Sequence, residues 1–291
     1  MSAVSIKAEY LAAYHEHMKG AVGRISSTKA THQSKAQEVN ALVTDMYNRL
    51  RGKILTARES DKEIQQRLLV LQYCTSVASL EYRHQVWPYE YMALSRRVGE
   101  LWERFCCAAW DVPSKPSVKR MEAPSFLEVG KKIRDTLAQH KVEAATRKEI
   151  NAVLDILFEL LGTISMDEDE VFTVGGVPHV IDFKSGFGSN EKGNTLRLLA
   201  VGRAYKLWNK DTQLFFLVRQ EVNNNYLNVI RRSGIWDVRC GLAAYKTIDD
   251  LTGSDIAGLR DKIFAFETDL SPEFWRYLSS HLSDLTSYLR W

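Results

Sequence analysis

Four cysteines and six prolines in 291 residues leave no basis for a disulfide framework or a proline-rich scaffold. Cys74, Cys106, Cys107 and Cys240 lack the spacing of zinc ligands, and the adjacent Cys106 and Cys107 read as buried thiols on a helix. No apolar run approaches the ~18 residues needed to span a bilayer, and the N-terminus has no basic-then-apolar leader. A cytoplasmic protein without a membrane partner is the expectation. Internal repeats and low-complexity tails are absent as well. The net charge of +3 is too small to specify a nucleic-acid partner by itself, although its sign suits one. What the chain does have is material for a core, with 45% hydrophobic residues and 10% aromatics.

The first 160 residues read as almost entirely helical. Val39, Leu42, Met46 and Leu50 recur at helical spacing, as do Ile64, Leu68, Leu71 and Val77. Between Tyr89 and Trp110, a stripe of Leu94, Val98, Leu101, Phe105 and Ala108 faces a core, with Glu103 on another side. Residues 111–125 hold Pro113, Pro116 and Pro124 among Ser and Lys, which reads as a linker. From Lys115 to Glu149 nine Lys and Arg stand against five acids. Such a run can contact a phosphate backbone, but a solvated helix face is the commoner explanation.

The stretch from Asp167 to Lys184 reads as a hairpin. With Gly175 and Gly176 as a two-residue turn, Val174 pairs with Val177, Asp169 falls opposite Asp182, and Asp167 falls opposite Lys184. Alternation then places Asp167, Asp169, Asp182 and Lys184 on one face, and Glu168 and Glu170 on the other. Like charges directly opposite repel unless a proton or cation lies between them, and a divalent metal is the natural remedy. The plainer alternative is a solvated acidic turn with an Asp182–Lys184 ion pair of little consequence. Against it, Asp182 lies between Ile181 and Phe183 in an apolar strand, where an unpaired carboxylate is costly.

Ile181-Asp182-Phe183-Lys184, with an acidic residue at the start of the preceding strand, resembles the (D/E)-x-K half of the PD-(D/E)XK nuclease superfamily, which includes the type II restriction endonucleases. The resemblance covers residues 90 to 260 in the order of elements. It implies Mg²⁺ as cofactor, metal ligation by Asp169 and Asp182, and assistance to the attacking water by Lys184. No Pro precedes Asp167 or Asp169, a departure from the family pattern that leaves both acids open as the first ligand. Gly99-Glu-Leu-Trp-Glu103 looks like the family's helix-borne acid, which would give Glu103 a second-metal or water-positioning role. An Arg-paired surface Glu is the other reading.

The polar, Gly-rich loop from Ser185 to Asn194 leaves the strand where a scissile phosphate would lie. It is no nucleotide-binding P-loop, because Lys192 is followed by Gly193. Ser185, Asn190, Lys192 and Asn194, with Arg197 and Arg203 on the helix that follows, are the candidate DNA contacts. That helix, from Thr195 to Trp208, is expected to bury Leu198, Val201, Tyr205 and Trp208 and to expose Arg203, Lys206 and Lys210. Strand-like runs follow at Gln213–Val218 and Trp236–Cys240, separated by a short helix ending in Arg231 and Arg232.

The fold expectation is α/β in class (α+β-like), with a mixed central sheet, a catalytic hairpin flanked by helices, and a large helical N-terminal region. Residues 1–88 would form that helical region and residues 89–291 a nuclease core, with a helical insertion over 111–160 and C-terminal helices. The resemblance further implies sequence-specific cleavage of double-stranded DNA by a type II restriction enzyme, a homodimer, and a cognate DNA methyltransferase in the same system. A structure-specific or repair nuclease on the same core, and a non-catalytic DNA-binding or helical interaction protein, are the alternatives.

Overall fold

The computed structural model of the chain describes residues 2–186, 192–221 and 225–291. The chain opens on helices α1 (Ala3–Met18), α2 (Ala21–Ser27), α3 (His32–Leu55), α4 (Asp61–Val86) and α5 (Tyr91–Cys107). Strand β1 (Val118–Arg120), helices α6 (Phe126–Gln139) and α7 (Ala144–Leu161), and strands β2 (Glu170–Val174) and β3 (Val177–Lys184) follow. Helix α8 (Lys192–Trp208), β4 (Gln213–Val218), α9 (Asn225–Ser233) and β5 (Asp237–Cys240) complete the middle of the chain. It closes on α10 (Leu242–Thr252), α11 (Ile256–Ile263), α12 (Phe266–Asp269), α13 (Pro272–His281) and α14 (Ser283–Thr286). The class is the mixed α/β one expected, and no helix among the described residues is long and apolar enough to cross a membrane.

The chain divides into two compact units, Met1–Lys115 with Leu242–Trp291, and Pro116–Gly241. This differs from the division at residue 88. Helix α5, with Glu103, and the C-terminal helices belong to the helical unit, because their apolar stripes are spent there. Leu94, Val98, Leu101 and Phe105 of α5 are fully buried, and the Trp102 indole N–H donates to the Tyr245 hydroxyl of α10 at 2.8 Å. At the heart of this unit lies α4, buried all round from Leu68 to Glu81 and started by a Ser60–Glu63 capping box.

The sheet unit is built on five strands in the order β1-β2-β3-β4-β5. Gly175 and Gly176 have φ of 58° and 87°, the left-handed conformations a tight two-residue turn demands, and Val174 pairs with Val177 as the Gly-Gly turn predicts. The hairpin is antiparallel, whereas β3–β4 and β4–β5 are parallel, with α8 and α9 as the crossovers. Central placement buries β3 from both sides, hence its nearly continuous apolar run.

Strand β1 corrects the linker reading of residues 111–125: Val118, Lys119 and Arg120 pair with Val174, Thr173 and Phe172. Three residues between prolines carry too little alternation to announce a strand, and it exists because β2 offers it an edge.

One face of the sheet packs on α6, α8 and α9. Val171, Val180, Leu214, Phe216 and Val218 meet Phe126, Val129, Leu198, Val201, Leu227 and Ile230 there. Gly202 lets α8 come close to the turn into β5, since a Cβ there would stand 2.5 Å from Ile235 Cγ2 and 2.6 Å from Trp236 Nε1. The Trp236 indole N–H then donates to the Leu198 carbonyl at 2.8 Å and fixes α8 against the sheet. Because Val180 faces α8, alternation turns Asp182 and Lys184 the same way.

Candidate active site

The site lies where β3 and β4 end and α8 begins, the carboxyl end of parallel strands where open α/β sheets present their chemistry. Asp182 is 2% exposed, two residues before the end of β3. Its Oδ2 accepts from Arg197 Nη2 of α8 at 2.8 Å, while Oδ1 is buried and accepts no hydrogen bond. The half-buried ammonium of Lys184 stands 3.5 Å from that oxygen. Asp169 sits one residue before the β2 ladder, and its Oδ2 accepts the Phe183 N–H at 2.6 Å, which turns the carboxylate toward Asp182.

Glu168 departs from the expected pattern. Strict alternation puts it on the far face with Glu170, yet it accepts from Arg197 Nη1 at 2.6 Å and Nη2 at 3.1 Å, beside Asp182. The last ladder pair is Glu170 with Ile181, so nothing enforces alternation before Glu170, and the chain turns Glu168 inward to share the guanidinium. Glu170 does face away, held by Arg120 of β1 through Nε at 2.9 Å and Nη2 at 2.6 Å. Asp167 is exposed.

Crowding of carboxylates has an electrostatic price here. Burial, and then the neighbouring Asp182 carboxylate, push Glu168 up to about 8 against the lowering effect of Arg197. Desolvation, and then the Asp182 charge, push Asp169 up to about 6 against the lowering effects of the Phe183 N–H, Lys184 and Arg197. Three acids thus compete for one guanidinium and one ammonium, and the Oδ1 of Asp182 is left over.

A hard divalent cation suits that remainder, because carboxylate oxygens are its preferred donors and Mg²⁺ keeps most of its waters, taking only one or two protein carboxylates. Among the described residues, no group of three or more His, Cys, Asp or Glu side chains is arranged to hold a metal ion on its own. A divalent ion here would draw on Asp169 and Asp182 and take its remaining oxygens from water.

The remaining candidates are dispersed. Ser185 is buried, and its hydroxyl accepts from Arg219 Nε at 3.0 Å. Lys192, Asn194 and Arg203 are exposed on α8. Asn190 lies outside the described residues. Lys206, expected on the exposed basic side, instead donates to the Thr212 carbonyl at 2.5 Å and closes the end of α8. Trp208 is half-buried rather than buried. In the basic run, Arg134 pairs with Asp155 at 2.7 Å and Arg120 with Glu170, whereas Lys131 and Lys132 are exposed. Glu103 is half-buried on α5 in the helical unit, and the cluster just described is complete within the sheet unit without it.

Sequence reasoning missed Arg219 and Gln220. Arg219 is 8% exposed, its N–H donates to the Lys184 carbonyl at 2.9 Å, and a Cβ on Gly186 would meet Gln220 Oε1 at 2.8 Å. The signal was present: Arg219-Gln220-Glu221 ends an apolar strand abruptly at the same level as Lys184. No family model matches the chain, and neither a curated protein nor a solved structure matches it.

Proposed function

We propose that the sheet unit hydrolyses phosphodiester bonds in double-stranded DNA with Mg²⁺, as a sequence-specific endonuclease of the type II restriction class. The observation that carries the reading is the Asp182 Oδ1, buried and without a hydrogen bond, beside the Lys184 ammonium and next to Asp169, whose carboxylate is tied to β3 by the Phe183 N–H. Asp169 and Asp182 hold the ion. Bound there, it would polarise a phosphate oxygen and lower the pKa of its water.

The chain's own groups do the rest. Lys184 stands at the mouth of the site, where it orients the attacking water and offsets charge developing on the phosphate. Arg197 holds Glu168 and Asp182 in fixed directions, so Asp182 Oδ1 does not swing away. Arg219 clamps Ser185 and thereby the backbone that leaves Lys184. Exposed Lys192, Asn194 and Arg203 supply DNA contacts. The wider reading includes cytoplasmic action by two copies of the chain on a two-fold DNA site, with a cognate DNA methyltransferase protecting the host.

Arg197 also favours a second reading. A guanidinium shared by Glu168 and Asp182 compensates much of their charge without any metal, as in a DNA-binding protein that does not cut. Incubation with plasmid and Mg²⁺ separates the cases. Discrete bands support restriction, cutting confined to branched or damaged DNA supports a repair nuclease, and binding without cleavage supports the second reading.

A further inference from the structure

Helix α7 is 18 residues long and buries none of them. One side is anchored. Phe158 packs on Phe126 with ring centroids 5.1 Å apart, and Arg134 of α6 donates to Asn151 at 3.2 Å and to Asp155 at 2.7 Å. The other side presents Ile150, Val153, Ile156, Leu157, Leu160 and Leu161 to solvent, with Leu160 78% exposed and Leu161 58%. Isolated exposed aliphatics need no explanation, but six on one side of one helix form a contiguous apolar patch of the kind that marks an interaction surface.

We propose that this side of α7 pairs with the same helix of a second copy of the chain, antiparallel across a two-fold axis. Ile150, Val153, Leu157 and Leu160 are spaced three, four and three apart, the seam spacing of helices that pack along their length. That spacing reads the same in both directions, so an antiparallel copy sets Ile150 against Leu160 and Val153 against Leu157, an isologous contact. The six side chains expose on the order of 600 Å² per copy, most of the roughly 800 Å² per partner in a stable interface. A membrane surface fits less well. Interfacial helices carry a basic polar side, whereas α7 has Arg147 and Lys148 against Glu149, Asp155 and Glu159. The inference extends the two-copy part of the proposed function by giving it a surface, and its test is separate from cleavage.

Light scattering coupled to size exclusion on the full chain decides it. The native protein is expected at twice 33.3 kDa at micromolar concentration, and the double variant Leu157→Glu with Leu160→Glu at 33.3 kDa. Both positions are exposed in the single chain, so its circular dichroism should be unchanged. Lys148→Glu, on the side of α7 away from the seam, should leave the dimer intact. A native protein that is monomeric throughout, that instead floats with vesicles of anionic lipid, or whose double variant remains dimeric overturns the inference. A monomer that still cuts plasmid overturns it alone, and a dimer that never cuts leaves it standing while removing the nuclease reading.

Discussion

Arg197 reaches from the second turn of α8 to Asp182 near the end of β3, its Nη2 2.8 Å from Oδ2, and the same guanidinium holds both oxygens of Glu168. Two carboxylates that are almost fully buried therefore share one partner. Removing it should be costly, because uncompensated buried charge is left behind. Arg197→Gln is expected to destabilise the protein by roughly 3 kcal/mol, the low end for a broken buried pair, since the arginine is itself partly exposed. Thermal melts with and without Mg²⁺ read the effect, and the ion should recover more stability in the variant than in the native protein.

A pH dependence follows from the same crowding. Glu168 is raised to about 8 and Asp169 to about 6, so the folded chain binds more protons than the unfolded one across this interval. Their contribution to stability is complete below the ordinary carboxylate range and is lost as pH rises through those values. Urea unfolding without metal should show the sheet unit weakening between about pH 5 and pH 8. Glu168→Gln should flatten most of that slope, and an unchanged slope in this variant would count against the assignment.

The acids should rank in a definite order. Asp169→Asn is expected to eliminate Mg²⁺-dependent cutting, because the Phe183 N–H holds that carboxylate against β3, and Asp167→Asn to cost less. Glu168→Gln should fall between them, by loosening the hold on Arg197. Glu170→Gln breaks the paired contact with Arg120 on the far face, so it should lower stability by about 1–3 kcal/mol and leave cleavage within a few fold. Cleavage rates for the four variants, set beside their melting temperatures, give the ranking.

The hairpin at this site was legible in the sequence, because a hairpin register is a counting problem once the turn is known. Gly175-Gly176 announces the turn, and the pairing of Val174 with Val177 follows down to Glu170 with Ile181. Counting fails where the ladder stops, and that is where Glu168 turned inward. The sequence offered Arg197 as a DNA contact and gave no sign of its hold on Glu168 and Asp182. Its role depends on α8 lying flat on the sheet, which Gly202 and Trp236 arrange from residues far along the chain. Strand β1 and the place of α5 in the helical unit were hidden for a related reason. A three-residue edge strand and a helix stripe state that they will be buried, but not against what.

Neutralising Lys184 tests the central claim most directly. Its ammonium stands beside the Asp182 oxygen that makes no hydrogen bond, and its charge is needed mainly as the phosphate gains charge in the transition state. Single-turnover cleavage of plasmid DNA with Mg²⁺ by Lys184→Ala should fall by ~10²-fold or more, while DNA affinity stays close to that of the native chain. A Lys184→Ala protein that cuts at the native rate, or a native protein that binds DNA and never cuts it, would contradict the account.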